Sequence, residues 1–360
     1  ETICRVLTSC GHDVLRINHV GDWGTQFGML LCHLNDNHPN FHEKTPDISN
    51  LNKFYKEAKK RFDDEPDFKE RSRLMVPQLQ GGDVRALAGW RALYDVSKMQ
   101  FSQVYERLDV TCELFGESEY NSMIPSVVDE LKQKQLLTDD LNEKNGLIAQ
   151  VAWVRDAINI PLFLVKSDGG YGYDSTDAAA IRYRIQSLHS DWLIYVTDSG
   201  QCDHFRGIFS LANRAGWLGL NGASNVMDFT KDKMNENIAA ITAANVAKDR
   251  ANGHHHGNVR CDHVGFGVVQ GKDKKRFKTR SGETVRLVDL LDEAKRRVNL
   301  ELSKRLHDGS TYVVSSEVDA ASSAIGYGAV KYCDLRATRT KDYVFDYDDM
   351  LSMSGETAVY

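Results

Sequence analysis

The sequence lacks the features that mark several protein classes. It has no surplus of positive charge, because 51 Asp and Glu residues against 45 Lys and Arg residues give a net charge of -6. It also has no apolar run that approaches the length of a membrane span. The charge balance excludes a globally basic nucleic-acid-binding protein, although a local basic face stays open. The lack of a long apolar run predicts no membrane partner.

The sequence also has few features of a disulfide-bonded or metal-binding protein. Its seven cysteines are scattered and form no Cys-x-x-Cys pair, which predicts reduced, mostly buried thiols in a cytosol-like compartment. Three consecutive histidines, His254 to His256, lie in a Gly- and Asn-rich stretch, where adjacent side chains cannot easily converge on one ion. We therefore predict no protein-bound metal.

The chain is long enough for one large domain or two. Its 360 residues are 41% hydrophobic and 27% charged, which is typical of globular proteins. The chain begins with Glu1 rather than Met, and its first residues already predict a helix. We therefore expect it to be a segment of a longer protein.

Helical and strand patterns alternate along the chain. A strand is predicted over 12–20, with "DVLR" buried, and further strands in "VAWVRD", "IPLFLVKSDGG", "DWLIYVTDSG" and "HVGFGVVQG". A helix predicted over 178–188 between two of these strands indicates a parallel βαβ unit. Residues 51–108 predict helices with a break at Pro66, and long helices are predicted again over 285–307 and from about Ala320. The predicted fold class is α/β, a doubly wound parallel sheet with a helical insertion and a helical C-terminal region.

Three of these strands end in clusters of polar residues: "INHVGDWGTQFGML", "KSDGGYGYDSTDAAA" and "TDSGQCDHF". We expect neighbouring strand ends to meet at one crevice. Ser175 or Thr176 is predicted as an N-cap, with Asp177 in the first helical turn. Carboxylates, a tyrosine and an amide suit a small cation, and a guanidinium would pair bidentately with Asp177.

A fourth cluster is "HVGFGVVQGKDKKRFKTRSG". Gly265 and Gly267 predict a close approach to the backbone by a flat ligand, or a bulge. The basic residues that follow, between 272 and 280, could neutralise charge on a polyphosphate. No GxxxxGK[ST] or GxGxxG motif is present, so an ATP site here would be of another kind.

Each of these features also has a plainer structural interpretation. Trp23 and Phe27 could be core residues, and Asp177 could be a helix-capping acid. Gln201 and His204 could satisfy backbone groups of their loop. The basic run could be a solvated loop.

Five stretches together resemble the arginyl-tRNA synthetases, and they occur in that family's order. They are "NHVGDWGTQFGML", "KSDGGYGYDSTDAAAI", "YVTDSGQCDHF", "HVGFGVVQG" and "FKTRSGETVRLVDLLDEA". The ending "FDYDDMLSMSGETAVY" is similar to the start of that family's anticodon-binding helices.

The resemblance implies roles for individual residues. The positions that match those holding the arginine side chain are Tyr173, Asp177 and Gln201. The positions implied to form the active-site wall are Asn18, Asp22, Trp23, Gln26 and His204. The strand implied to support the ATP adenine carries His263, Gly265, Phe266, Gly267 and Val268. The signature loop implied to face the phosphates carries Lys278, Arg280 and Ser281.

The resemblance also implies an activity, the ATP-dependent ligation of L-arginine to tRNA(Arg) through an arginyl-adenylate. Mg²⁺ would accompany the ATP, and the intact protein would be a monomer in the cytoplasm, with an organellar copy left open. Two alternatives remain. One is a non-catalytic arginine-binding or scaffold relative, and the other is a nucleotidyl-transferring enzyme that activates another small acid without tRNA.

The resemblance also predicts a domain organisation. The catalytic domain would begin in 1–50, be interrupted by a helical insertion over 51–146, and resume over 147–271. Residues 272–345 would hold the signature loop and stem-contact helices, and 346–360 would begin the anticodon-binding domain. The family's HIGH-type signature would precede Glu1. The segment 219–260 is predicted to be a surface insertion without a counterpart in the family.

Overall fold

The computed structural model of the protein describes residues 1–41, 51–141, 148–167, 169–219, 226–227, 259–271, 286–350 and 352. The chain divides into two compact units. The first unit joins Glu1–Gly116 to Gly267–Tyr360, and the second unit is Glu117–Phe266. The domain boundaries that the sequence predicts stay predictions.

The N-terminal part of the first unit is mainly helical. Its helices are α1 (Thr2–Ser9), α2 (Thr25–Asn37), α3 (Leu51–Asp64), α4 (Pro66–Gln80) and α5 (Val84–Leu108). Its strands are β1 (Ile17–Val20) and β2 (Glu113–Gly116), which pair in parallel. The strand predicted over 12–20 is therefore confirmed only for its last four residues. The prediction of a buried strand at "DVLR" is wrong, because Leu15 is 51% exposed and these residues have no buried face.

Local sequence signals set the helix boundaries here. Pro66 separates α3 from α4 and occupies the start of α4, where a missing N–H is tolerated. The side chain of Asp83 caps α5 by accepting a 2.8 Å hydrogen bond from the N–H of Ala86. The C-cap of α5 is Asp109, in the left-handed conformation with φ of 51°. The predicted helices with a break at Pro66 are confirmed.

The core of this part lies where α2, α3, α4 and α5 meet. It consists of buried apolar side chains, namely Trp23, Met29, Leu30, Leu31, Cys32, Leu34, Phe41, Phe54, Ala58, Phe68, Leu79, Ala86, Trp90 and Leu93. The partly buried ring of Phe27 packs against this cluster. The interpretation of Trp23 and Phe27 as residues that pack in the core is therefore confirmed.

The second unit contains two small sheets and three α-helices among its described residues. The helices are α6 (Ile124–Gln133), α7 (Tyr173–Gln186) and α8 (Cys202–Arg214). An antiparallel sheet has the order β3 (Thr138–Leu141), β4 (Ile148–Ala152), β5 (Leu162–Val165). A parallel sheet has β8 (Arg260–Phe266) between β6 (Trp192–Asp198) and β7 (Val226–Met227).

The parallel unit predicted from the helix between β5 and β6 is wrong in its pairing. The short connection over 153–161 makes β5 an antiparallel partner of β4. The parallel partner of β6 is β8, from Trp192 opposite Arg260 to Asp198 opposite Phe266. The longer connection that includes α8 allows that crossover. Helices combined with parallel strand pairs confirm the α/β class.

The C-terminal part of the first unit contains two long helices, one short helix and a small strand pair. Its helices are α9 (Leu287–His307), α10 (Val318–Arg336) and α11 (Tyr347–Met350). Strands β9 (Val269–Gln270) and β10 (Tyr343–Val344) pair in parallel. The two long helices predicted here are confirmed. Within the described ranges, every helix is too short or too polar to cross a membrane.

Candidate active site

Helix α7 begins earlier than the sequence predicts. Its first residue is Tyr173, and Gly172 is the N-cap, so the prediction of Ser175 or Thr176 as the cap is wrong. The hydroxyl of Ser175 donates to the carbonyl of Leu164 at 2.7 Å and accepts from the N–H of Gly172 at 3.2 Å. Ser175 therefore ties the helix start to β5 from inside the first turn.

The earlier start changes the roles of two aspartates. Asp174, not Asp177, is the acid of the first turn, where the helix dipole favours negative charge. Asp177 lies one turn further on, with its side chain 14% exposed. Tyr173 is 66% exposed. Tyr173 and Asp177 are four residues apart and so lie on the same face of the helix.

His204 joins α8 to α7 through two carboxylates. Its Nε2 lies 2.7 Å from Oδ2 of Asp177, and its Nδ1 lies 3.3 Å from Oδ1 of Asp174. Burial opposes the charge of His204, but the hydrogen bonds and charges of the two carboxylates outweigh it and raise the pKa of His204 to about 9. His204 is therefore positively charged at neutral pH, and the expected proximity of Asp177 and His204 is observed.

Gln201 lies just beyond the end of β6. It is the last residue of the 3₁₀ turn Ser199–Gln201 and is exposed. Its Nε2 donates to Oδ2 of Asp198 at 3.4 Å, while Oδ1 of Asp198 accepts from the N–H of Gly200 at 3.0 Å. The amide of Gln201 is thus held at the carboxyl end of β6, where the sequence predicts it.

Strand β8 carries His263 against an aromatic ring of α8. The rings of His263 and Phe205 stack with centroids 5.2 Å apart and planes inclined by 19°. Nε2 of His263 lies 2.8 Å from the hydroxyl of Thr197 on β6. Phe266, at the end of β8, is 41% exposed, and its carbonyl accepts a 3.0 Å bond from the hydroxyl of Ser199. The end of this strand therefore combines fixed polar groups with an exposed ring.

Gly265 and Gly267 lie against atoms of the protein itself. A Cβ at 265 would lie 2.9 Å from the hydroxyl of Ser199, and one at 267 would lie 2.5 Å from the carbonyl carbon of Lys341. A side chain at 267 would therefore clash with the backbone of Lys341, whereas one at 265 would require Ser199 to shift. The neighbours of both glycines are atoms of the chain itself, and the close approach of a flat ligand stays a prediction.

Val268 is held by the segment around β10. Its N–H donates to Oδ1 of Asp342 at 2.8 Å, and its carbonyl accepts from the N–H of Tyr343 at 3.3 Å. Oδ2 of Asp342 accepts from Nε2 of Gln270 at 3.1 Å. One carboxylate thus fixes the backbone that follows β8 in the chain.

In the first unit, the turn after β1 is buried at its centre. Asp22 is fully buried, and its carbonyl accepts a 2.9 Å hydrogen bond from the indole N–H of Trp90. Trp23 is 7% exposed and meets the ring of Trp90 edge-on at 5.4 Å. The indole nitrogen of Trp23 has no hydrogen-bond partner among the described residues.

The other two predicted wall residues of the first unit differ in exposure. Asn18 is half-buried on β1 and donates to the hydroxyl of Tyr105. Gln26 is exposed in the first turn of α2. Their assignment to an active-site wall stays a prediction.

Some predicted residues lie outside the described residues. They are the signature-loop residues Lys278, Arg280 and Ser281, and the three histidines His254 to His256. Among the residues that the structure does describe, no group of three or more His, Cys, Asp or Glu side chains could hold a metal ion.

The sequence matches a known family profile almost from end to end. The profile "tRNA synthetases class I (R), catalytic domain" matches residues 1–232 and 235–347. The match leaves only residues 233 and 234 outside it within the segment 219–260. The prediction that this segment has no counterpart in the family is therefore wrong.

Individual relatives are similar along the whole chain. "Probable arginine--tRNA ligase, cytoplasmic" of Drosophila melanogaster is 43% identical over 100% of this chain and 48% of its own length. "Arginine--tRNA ligase" of Synechococcus sp. is 41% identical over 100% of this chain and 56% of its own length. The chain thus spans about half the length of these relatives.

Solved structures agree with the sequence relatives. The arginyl-tRNA synthetase of Plasmodium falciparum has a TM-score of 0.73 at 34% identity and covers 100% of this chain and 52% of its own. That of Thermus thermophilus has a TM-score of 0.65 at 16% identity, over 99% of this chain and 57% of its own, and so bears on the fold alone. The fold is the α/β catalytic fold of a class I aminoacyl-tRNA synthetase, and the chain belongs to the arginyl-tRNA synthetase family.

Asp174 is not among the site residues that the sequence predicts. Its signal was present, because "YDSTD" contains two acids three residues apart and either could begin the helix. The predicted cap is a hydroxyl side chain, whereas the backbone of Gly172 takes that position. The predicted helix start is therefore too late and leaves Asp174 in the preceding loop.

Proposed function

We propose that the complete protein containing this chain joins L-arginine to tRNA(Arg) at the expense of ATP. The observation that supports this most directly is family membership along the whole chain, with the named arginine–tRNA ligases about 40% identical to it. The domain boundaries given by the sequence belong to this proposal. A cytoplasmic location and a monomeric state also belong to this proposal, the location being the one in the name of the Drosophila relative.

The reaction has two steps. In the first, the carboxylate of arginine attacks the α-phosphorus of ATP, the bond from that phosphorus to the oxygen bridging to the β-phosphate breaks, and pyrophosphate leaves. Mg²⁺ accompanying the ATP would neutralise part of the phosphate charge. In the second, the 2′-hydroxyl of the terminal adenosine of tRNA attacks the carbonyl of arginyl-adenylate and loses its proton, an ester forms, and AMP leaves. Neither step requires a protein nucleophile, so the protein acts by positioning the reactants and stabilising charge.

Arginine would be held at the N-terminal turns of α7. Asp177 offers a carboxylate to the guanidinium, for which a two-bond pairing is geometrically favourable. Tyr173 lies on the same helix face, and Gln201 offers its amide at the end of β6. The charge of Asp177 and its fixed partner His204 support this assignment.

ATP would lie along the end of β8 and the residues after it. The exposed ring of Phe266 and the stacked pair of His263 and Phe205 support an adenine site. Gly265, Gly267 and Val268 are proposed to belong to it as well. Lys278, Arg280 and Ser281 are proposed to face the phosphates. Asn18, Asp22, Trp23 and Gln26 are proposed to line one wall, where the buried indole N–H of Trp23 is a donor.

The test is arginine activation by the complete protein and its Asp177→Ala variant. The measurements are tRNA-dependent exchange of pyrophosphate into ATP, and formation of arginyl-tRNA, at varied arginine concentrations. The free energy of arginine binding should be less favourable in the variant by about 2–5 kcal/mol, as expected for removing one partner of a charged hydrogen-bonded pair. Asp203→Ala is the control, because Asp203 is 79% exposed on α8.

The two possible failures are distinct. If the unaltered protein forms no arginyl-tRNA, the proposed function is wrong, and arginine binding without exchange would favour the non-catalytic alternative. If the protein charges tRNA with arginine but Asp177→Ala leaves the KM for arginine unchanged, only the site assignment is wrong.

A further inference from the structure

A chain of polar contacts, two hydrogen bonds joined by one ion pair, runs from β5 through Asp174 and His204 to Asp177. Oδ2 of Asp174 accepts a 2.6 Å bond from the backbone N–H of Phe163. Oδ1 of the same carboxylate lies 3.3 Å from Nδ1 of His204, and Nε2 of His204 lies 2.7 Å from Oδ2 of Asp177. One end of the chain is therefore a strand backbone and the other end is the carboxylate proposed to bind arginine.

The geometry defines the state of the His204 ring. An ionised carboxylate only accepts hydrogen bonds, so each ring nitrogen facing one must carry a proton. Both nitrogens of His204 face carboxylates, which makes the ring an imidazolium. The ring of Phe205 meets it edge-on at 5.2 Å, and the side chain of His204 is only 24% exposed. The imidazolium is thus confined between two helices.

The three groups together carry the charge of one anion. Two carboxylates contribute two negative charges, and the imidazolium removes one. A site with a single net negative charge matches the single positive charge of a guanidinium. A carboxylate has about four lone-pair sites, so the bond from His204 does not exhaust the capacity of Asp177 to accept others.

We propose that Asp174 and His204 are positioning residues that fix the carboxylate of Asp177 for the guanidinium of arginine, an inference that rests on the proposed function. Neither side chain needs to touch the substrate. The backbone of Phe163 holds Asp174, and Asp174 orients the imidazolium of His204. The imidazolium in turn orients Asp177. The network would act on arginine binding through Asp177, rather than on ATP binding or on the chemical steps.

The test is a double-mutant cycle in the complete protein, because residues that act through one another have non-additive effects. The first variant, Asp174→Asn, keeps the size of the side chain but removes the charge that faces Nδ1. It should raise the KM for arginine roughly tenfold and leave kcat at saturating arginine and the KM for ATP unchanged. In an Asp177→Ala background the same change should alter the KM for arginine by less than about twofold.

A merely structural role gives a different pattern. If Asp174→Asn changes the KM for arginine by the same factor with and without Asp177, or if kcat and the KM for ATP change with it, the proposal is overturned. If Asp174→Asn does not fold, as judged by its thermal unfolding, His204→Gln tests the same cycle. That variant keeps one donor toward Asp177 without the charge, and so should fall between the unaltered protein and His204→Phe.

A matched control and the unaltered protein separate the possible outcomes. Asp203→Asn removes an exposed carboxylate from the first turn of α8 and should leave every kinetic constant unchanged. An unaltered protein that does not activate arginine overturns the proposed function together with this inference. An unaltered protein that does activate arginine, combined with additive effects of Asp174→Asn and Asp177→Ala, overturns this inference alone.

Discussion

The indole nitrogen of Trp90 donates a 2.9 Å hydrogen bond to the carbonyl oxygen of Asp22. This bond ties the N-terminal third of α5 to the turn that follows β1, although the two residues are far apart in the sequence. The same indole meets Trp23 edge-on, so one side chain fixes the backbone of one turn residue and the ring of the next. The buried turn therefore depends on a helix that the sequence places in a separate insertion.

Replacing Trp90 by Phe should lower the free energy of unfolding by about 1–3 kcal/mol. The ring remains aromatic, but the buried carbonyl of Asp22 loses its indole donor. Urea denaturation of the complete protein measures the change. Tyr312→Phe is the control, because Tyr312 is fully exposed and its variant should stay within about 0.5 kcal/mol. Equal stability of both variants would show that the Trp90 bond does not stabilise the fold.

The long helices could be predicted because their information is local. Apolar residues at helical spacing, Pro66 and the capping residue Asp83 lie within the segments that they define. The start of α7 could not be placed, because a glycine backbone caps it and Ser175 bonds instead to β5. Strand pairing could not be predicted either, because it depends on contacts between segments that are distant in the chain. β2 is four residues long, has no clear period, and is stabilised by its distant partner β1.

Part of the site could be predicted because its motifs, like the helix signals, are local in the sequence. The sequence indicates the motifs that carry Asp177 and His204, but not that the strands before them, β5 and β6, lie in different sheets. The role of Asp174 could not be predicted, because a glycine caps its helix and its partner atoms, the N–H of Phe163 and Nδ1 of His204, belong to other segments. The burial of Asp22 is likewise a property of packing, since an aspartate after a strand is usually solvated.

The contribution of His204 to stability should depend on pH. Its folded pKa of about 9 lies above the ordinary value of 6.5, so the folded state binds the proton more tightly. The stabilisation is therefore complete below about pH 6.5, declines as the pH rises, and is lost above about pH 9. The unfolding free energies of the unaltered protein and His204→Gln should converge by about 3 kcal/mol across that interval. Urea denaturation at pH 6, 7.5 and 9 measures this, and a constant difference would contradict it.

Replacing Asp83 by Ala should destabilise the first unit modestly. The variant removes the acceptor for the N–H of Ala86 at the start of α5. Loss of such a cap typically lowers stability by about 1 kcal/mol. Asp83→Asn is the matched variant, because its amide oxygen can still accept that bond, and it should keep most of the stability. Equal losses in both variants, measured by urea denaturation, would assign the effect to charge rather than to capping.

Cys261 should be far less reactive than Cys10 in the folded protein. Cys261 is fully buried on β8, and burial, together with the charge of the neighbouring Asp262, raises the pKa of its thiol to about 12. At pH 8 only roughly 1 in 10,000 such thiols would be ionised, and the thiolate is the reactive form. Cys10, by contrast, is exposed after the end of α1.

Alkylation with iodoacetamide at pH 8, followed by mass spectrometry of the peptides, should modify Cys10 within minutes and leave Cys261 intact. In concentrated guanidinium chloride both should react at similar rates, because unfolding removes the burial that raises the pKa of Cys261. Modification of both thiols at similar rates in the folded protein would mean that β8 opens to solvent. That result would contradict the burial of Cys261 in the parallel sheet.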